Sequence, residues 1–197
     1  FQANQLSQII RDFIYSPMGI FQSDVLMGNI VTGLFVSILV GSVIFGGIKR
    51  IAKVASRLVP GMVGIYMVAA LIIIFKNISE IPQILNLILS DAFTGNSVTG
   101  GAIGSMIIIG VRRGLFSNEA GTGTETMAHG AAKTTEPIRE GLVAMLGPFI
   151  DTIIVCSITA IVLLTSGVYT EDLNGVSMTA AAFSQELGFF GQIFLII

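Results

Sequence analysis

Long uncharged runs alternate with short charged segments along this chain. Residues 28–48 carry no charge before Lys49, residues 58–75 are likewise uncharged, and residues 141–166 contain a single charge, that of Asp151. A helix needs about 20 mostly apolar residues to cross a hydrocarbon layer of about 30 Å, because it rises about 1.5 Å per residue. The pattern therefore predicts three membrane-spanning helices and an all-α, polytopic membrane protein.

Three further apolar segments predict partial or interrupted spans. Residues 1–10 are typical of the end of a fourth span, residues 187–197 of the start of another, and residues 99–134 of an interrupted one. The chain begins at Phe1 without a methionine or a basic leader, so no signal peptide is indicated. Because it also stops inside an apolar run, we expect an excised piece of a longer membrane protein.

The positions of lysine and arginine predict the orientation of the spans. Short cytoplasmic loops keep positive charge, whereas exported loops lose it. Residues 167–178 carry Glu171 and Asp172 but no base, which places this loop outside. Arg11 is the one base that this scheme also places outside. The links predicted to be cytoplasmic carry the bases Lys49, Arg50, Lys53, Arg57, Lys133 and Arg139.

Composition agrees with a membrane protein. Charged residues make up 11% of the chain and the mean hydropathy is +0.87, whereas soluble domains carry roughly 25% charged residues. A net charge of -2 leaves no basic excess for nucleic acid. The single cysteine, Cys156, excludes an intramolecular disulfide. A nucleic-acid partner is therefore not expected.

Residues 110–126 interrupt the apolar pattern with a polar, glycine-dense stretch. Gly121 and Gly123 disfavour helix, and the side chains of Ser117 and Asn118 compete for backbone hydrogen bonds. We therefore expect an unwound segment. At membrane depth such a segment is tolerated only where it is buried in protein or lines a cavity, as in the binding sites of secondary transporters. The pattern predicts a ligand site here.

Three charges lie close to this segment or within it. Arg112, Arg113 and Glu119 would each be costly in the membrane without a partner. An ion pair between Glu119 and one of the two arginines is one interpretation. A solvated cytoplasmic loop between two half-helices is the other.

Asp151 lies near the middle of an otherwise apolar span, where its burial requires a hydrogen-bond donor or a cation. Ion coordination and a hydrogen bond that locks two helices together both fit this position. The nearby hydroxyls of Thr152, Ser157 and Thr159 are expected to bond carbonyls of their own helix.

The motifs of soluble enzymes are not matched. Residues 121–124 read Gly-Thr-Gly-Thr, but neither the lysine of a P-loop nor the third glycine of a dinucleotide fingerprint follows. His129 is the only histidine, and no cluster of metal ligands accompanies it. We expect a structural role for His129, no enzymatic activity and no cofactor.

Several blocks of residues resemble one transporter family. The run Arg113-Gly114-Leu115-Phe116-Ser117-Asn118-Glu119-Ala120-Gly121, followed by Ala128-His129, closely resembles the signature of the alanine or glycine:cation symporter family. Four other blocks resemble the family in the same order, residues 1–5, 46–51, 58–62 and 149–152. The resemblance covers nearly the whole chain.

The resemblance implies a LeuT-type fold of two inverted repeats, in a multi-pass protein of the bacterial inner membrane. It implies a secondary active transporter that imports alanine or glycine together with sodium by alternating access. The partners would be a small neutral amino acid, sodium and the lipid bilayer. Residues 1–197 would form one transporter domain, a fragment that lacks the family's earlier broken helix and its C-terminal helices.

The resemblance also implies a set of site residues. Asn4 is expected to contact the amino or carboxylate group of the substrate, with Gln5 as its neighbour. The sodium site would be shared with helices absent from this chain, so its ligands are not assigned. Thr124 replaces a small residue of the family pattern. The residues expected to line the central cavity, through backbone groups, are Asn118, Gly121, Thr122, Gly123 and Thr124.

Two other classes of function are compatible with an apolar chain of this kind. An intramembrane enzyme would need converging acid, base or metal residues, and a passive channel would need no coupling. Uptake separates the three classes, because only a symporter concentrates its substrate against a gradient.

Overall fold

The computed structural model describes residues 2–21, 24–93, 103–171, 173–188 and 191. All regular structure in these ranges is helical, which confirms the predicted all-α class for the described part. Two π-helical stretches, Arg11–Tyr15 and Phe149–Val155, and one 3₁₀ turn, Val168–Thr170, are included. The α-helices are Gln2–Ile10, Ser16–Met18, Val25–Ile44, Gly47–Lys76, Ile81–Phe93, Ile103–Phe116, Glu119–Thr122, Glu125–His129, Pro137–Ala144, Leu146–Pro148, Cys156–Thr165 and Val176–Leu187.

Among the described residues, three helices are long and apolar enough to cross a membrane. They are Val25–Ile44, Gly47–Lys76 and the helical stretch Pro137–Thr165, which we call the polar span after its Asp151. The three predicted spans lie within these helices or overlap them closely. The first begins at Asp24, whose carboxylate accepts a hydrogen bond from the Met27 amide at 3.1 Å and so caps the helix.

The basic link between the first two spans is helical. Only Phe45 and Gly46 separate the two helices, because Gly47 adopts a left-handed φ of 70° and the next helix starts at once. Between Gly47 and Pro60 the sequence contains no further glycine or proline to interrupt the helix. The four bases of the predicted link therefore lie on the first turns of Gly47–Lys76.

The described residues within 1–76 and 162–197 form one compact unit. Within it, helix Val176–Leu187 packs on the long helix Gly47–Lys76. Phe183 is fully buried, and its ring centroid lies 5.4 Å from that of Tyr66. At the other end of the contact, the Lys76 ammonium lies 3.0 Å from the Glu186 carboxylate. Aromatic packing and one ion pair therefore hold the helix in place.

The amino-terminal end of helix Val176–Leu187 is held by side chains of the first helix. The Gln5 side-chain oxygen Oε1 accepts a hydrogen bond from the backbone amide of Val176 at 3.1 Å. This bond satisfies a backbone donor at the start of the helix. The Gln8 amide donates to the Ser177 hydroxyl at 2.9 Å, and that hydroxyl donates to Asp12 at 3.2 Å. A polar network thus positions this end.

The described residues within 77–161 form the second compact unit. It contains helices Ile81–Phe93 and Ile103–Phe116, two short helices and most of the polar span. Residues 99–102 of the predicted interrupted segment lie outside the described residues. So does the predicted start of a further span at residues 187–197, apart from residues 187, 188 and 191.

Candidate functional site

The predicted interruption of residues 110–126 is narrower than expected, because residues 110–116 continue a regular helix. The helix is interrupted at residues 117–124, which we call the break. Helix Ile103–Phe116 ends there, and a short helix, Glu119–Thr122, follows. The Asn118 side-chain oxygen accepts a hydrogen bond from the Gly121 amide at 2.9 Å and so caps the short helix. Because the backbone of Asn118 is extended, the chain changes direction at this residue.

Two glycines make the break sterically possible. A Cβ at Gly121 would overlap the carbonyl of Leu115, so two backbone segments approach here more closely than any other residue would allow. Gly123 ends the short helix with a left-handed φ of 81°. The glycine pattern seen in the sequence is therefore a requirement of the backbone path.

Side-chain hydrogen bonds join the break to the polar span. The Asn118 amide donates to the Thr152 hydroxyl at 2.8 Å, and the Ser117 and Thr152 hydroxyls lie 3.2 Å apart. Ser117 also donates to the Gly114 carbonyl at 2.9 Å. The side-chain oxygen of Asn118 accepts from Gly121 within the break, and its side-chain nitrogen donates to Thr152 of the polar span. These two bonds determine the orientation of the Asn118 side-chain amide.

This contact corrects the prediction that the Thr152 hydroxyl bonds its own helix. The Thr152 hydroxyl instead bonds the Ser117 and Asn118 side chains of the break. The sequence pattern alone does not indicate these partners. For Thr159 the prediction is confirmed, since its hydroxyl donates to the Val155 carbonyl at 2.8 Å.

The expected ion pair of Glu119 is not found among the described residues. The Glu119 carboxylate accepts a hydrogen bond from the Thr124 hydroxyl instead, and the Thr122 and Thr124 hydroxyls lie 3.0 Å apart. Arg112 and Arg113 are exposed on the preceding helix. The turn at residue 118 explains the difference, because it places Glu119 beside the hydroxyls of its own loop.

Asp151 lies in the π-helical stretch Phe149–Val155 and is half-buried. Its oxygen Oδ2 is buried and has no hydrogen-bond partner among the described residues. A bond from this oxygen that would lock two helices is therefore not observed there. No group of three or more histidine, cysteine, aspartate or glutamate side chains that suits a metal ion occurs in the same ranges. Asp151 thus presents a single buried oxygen in the span that carries Thr152.

Asn4 and Gln5, the expected substrate residues of the first helix, belong to the first unit. The Asn4 side chain is exposed. Gln5 is half-buried, and its side-chain oxygen is used by the Val176 amide. This contact gives Gln5 a positioning role for helix Val176–Leu187 that the resemblance does not imply.

A histidine between two carboxylates lies just beyond the break. His129 Nδ1 is 2.6 Å from Glu140 and Nε2 is 3.4 Å from Glu125. The contact to Glu140 links helix Glu125–His129 to the start of the polar span. The hydrogen bond with Glu140, followed by the charges of Glu140 and Glu125, raises the pKa of His129 above its ordinary value of 6.5, although desolvation opposes the shift. The spacing of four residues on a helix signals Glu125, but no sequence pattern signals Glu140.

We expect the His129 contact to stabilise the full-length protein most at low pH. A pKa raised by folding contributes stability that is fully present below the unfolded value of about 6.5 and is lost as the pH rises through the folded value. The melting temperatures of the wild type and of His129→Gln should therefore differ most near about pH 5.5 and converge at alkaline pH. Glu140→Gln should show the same trend and Glu136→Gln should not. A difference that does not vary with pH would contradict this expectation.

Comparison with known proteins identifies the family. The model of the sodium:alanine symporter family matches residues 1–197. The chain is 44% identical over 192 residues to an uncharacterized transporter of Haemophilus influenzae, covering 95% of this chain and 40% of that protein. It is 43% identical over 168 residues to the sodium/alanine symporter AgcS of Methanococcus maripaludis, covering 83% and 37%. It is 38% identical over 184 residues to a sodium/proton-dependent alanine carrier protein of Bacillus sp. strain PS3, covering 86% and 41%.

The chain thus spans about two fifths of the length of the curated relatives that it matches. The family is one of transporters rather than enzymes, in agreement with the prediction. The family predicted from the resemblance is therefore confirmed, and this chain belongs to the sodium:alanine symporter family.

Proposed function

We propose that the full-length protein is a secondary active transporter that imports alanine or glycine together with sodium by alternating access. Its place would be the bacterial inner membrane. The observation that carries the proposal is the break, a stretch of irregular backbone tied by Asn118 to the span that holds Asp151. Irregular backbone beside a membrane span is typical of the binding sites of secondary transporters.

The break supplies the groups that recognise a small zwitterion. Gly121, Thr122, Gly123 and Thr124 are exposed, but the Gly121 and Gly123 amides and the Gly123 and Thr124 carbonyls already hold hydrogen bonds within the protein. The remaining backbone groups of the break are the ones offered to an amino acid. Asn118 holds this backbone in place through the Gly121 amide and the Thr152 hydroxyl. A small side chain on the substrate suits a site whose walls are backbone rather than side chains. The role of Asn4 in contacting the substrate is proposed from the family resemblance alone, whereas Gln5 acts by positioning helix Val176–Leu187.

The coupling cation binds at Asp151. Its buried Oδ2 oxygen has no hydrogen-bond partner in the part of the chain that the structure describes, and a hard cation such as sodium prefers oxygen ligands. A buried carboxylate in a span is also costly without a partner. Thr152 follows Asp151 directly, so a change at the cation is transmitted to the break. Further ligands would come from helices outside this chain.

The proposed architecture is a LeuT-type fold of two inverted repeats. Residues 1–197 form part of one transporter domain in this proposal. The all-helical structure and the three candidate spans support it, as does membership of the family. The relatives named for sodium/alanine symport and for sodium/proton-dependent alanine transport support alanine as the substrate, with sodium or protons as the coupling ion.

Uptake of radiolabelled alanine by the full-length protein in proteoliposomes tests the proposal. We expect accumulation above the external concentration when sodium is higher outside, and none when the sodium concentrations are equal. Unlabelled glycine should compete. Equilibration without accumulation would instead indicate a channel, and chemical conversion of the substrate would indicate an enzyme. A proton gradient that replaces sodium fully would contradict sodium coupling.

A further inference from the structure

Helix Gly47–Lys76 is longer than a membrane crossing requires. Its 30 residues extend about 45 Å at about 1.5 Å each, whereas the hydrocarbon layer measures about 30 Å. The uncharged run 58–75 accounts for about 27 Å of that length, most of the layer. The first three turns, which carry the bases, therefore extend into the layer of lipid headgroups.

Bases and aliphatic side chains share one face of these turns. Arg50, Lys53, Val54, Arg57 and Leu58 line an open cavity of about 590 Å³. Their spacing of three and four residues places them side by side along the helix. The Arg50 side chain lies directly over Gly46, where a Cβ would overlap it. Three cationic groups and two aliphatic ones are thus presented together.

In the part of the chain that the structure describes, the bases of this face have no acidic partner. Residues 25–79 contain no aspartate or glutamate. None of the ion pairs found among the described residues involves Arg50, Lys53 or Arg57, and all three side chains are exposed. A positive potential of this kind attracts a phosphate group.

A second cavity provides a contrast. It has about 540 Å³ and is lined by Lys133, Thr134, Thr135, Glu136 and Arg139. It also contains two bases, but Glu136 offsets one of them and no aliphatic side chain is present. Positive charge alone therefore does not distinguish the first cavity, whereas the absence of an acid and the presence of Val54 and Leu58 do.

We propose that the face formed by Arg50, Lys53, Val54, Arg57 and Leu58 binds the headgroup of an anionic phospholipid. The bases bind the phosphodiester, and the two aliphatic side chains contact the start of the acyl chains. Clusters of bases next to a membrane span attract anionic lipids by about this arrangement. The site is independent of the break and of the proposed transport activity.

Native mass spectrometry of the full-length protein in detergent, titrated with dioleoylphosphatidylglycerol, tests this site. Each base near an anionic lipid surface contributes about 1 kcal/mol, so the double variant Arg50→Gln/Arg57→Gln should bind the lipid about 30-fold more weakly. The matched control Lys133→Gln/Arg139→Gln removes the same charge and should leave the affinity within about twofold. Lys49 and Lys53 remain in the double variant, which preserves bases that orient the span.

Three further arms make the result decisive. Arg57→Gln alone should weaken binding about fivefold, which keeps the test valid if the double variant folds poorly. Dioleoylphosphatidylcholine should bind much more weakly than the anionic lipid. Equal loss in both double variants, equal binding of the two lipids, or full competition by glycerol 3-phosphate would each overturn the proposal, the last by indicating a site for free phosphate.

Discussion

Asp151→Asn is expected to lower sodium-dependent alanine uptake by the full-length protein roughly 10- to 100-fold. Asparagine keeps the shape of aspartate but removes the charge that a cation needs. Because the Oδ2 oxygen is buried and lacks a partner in the described ranges, nothing there compensates for that loss. The measurement is the initial rate of uptake in proteoliposomes over a series of sodium concentrations. The half-saturating sodium concentration should rise with the loss of rate.

Asp24→Asn is the matched control for this prediction. Asp24 is exposed and caps helix Val25–Ile44, a role that asparagine fills equally well. Its uptake should match that of the wild type. If Asp151→Asn keeps both its rate and its dependence on sodium while it inserts normally, then Asp151 is not a ligand of the coupling ion.

Thr152→Val is expected to reduce uptake roughly 5- to 100-fold, because it leaves the Asn118 amide without its acceptor across the span. Valine has the shape of threonine, so the packing of the span is retained while the hydrogen bond accepted from Asn118 and the one shared with Ser117 are lost. The break would then lose its fixed position beside the span. We expect the change mainly in the Michaelis constant for alanine, since the exposed backbone of the break would no longer be held in the binding geometry.

Two control variants isolate the hydrogen bond. Thr152→Ser keeps the hydroxyl and should restore most of the uptake. Ser42→Ala removes a hydroxyl that donates to the Leu39 carbonyl of its own helix at 2.7 Å, and it should have little effect. Equal uptake by Thr152→Val and Thr152→Ser would show that the link between the break and the span does not matter for transport.

The spans could be predicted because they depend on composition over about 20 residues. Uncharged runs such as 58–75 are incompatible with a water-exposed surface, whatever surrounds them. The break could be predicted for a similar local reason, since Gly121 and Gly123 weaken helix at their own positions. One of the two contacts of His129 could be predicted, because Glu125 lies one helical turn before it. The contact with Glu140 could not.

Which polar side chains meet at the break could not be predicted, even for residues that are close in the sequence. Glu119 bonds Thr124 rather than an arginine because the turn at Asn118 carries it away from Arg112 and Arg113. The sequence shows only that the three charged residues lie near one another along the chain. Which of them meet depends on the direction of the backbone between them.

The sequence by itself determined the helical class, the approximate spans, the position of the break and, through its signature blocks, the family. These features follow from local conformational preference and from the cost of exposing or burying side chains. Only the tertiary structure decided that Thr152 accepts from Asn118, that Gln5 holds the Val176 amide and that the Asp151 oxygen is left without a partner in the described part of the chain. A hydrogen bond depends on distances of about 3 Å between groups tens or hundreds of residues apart, and folding alone brings them together.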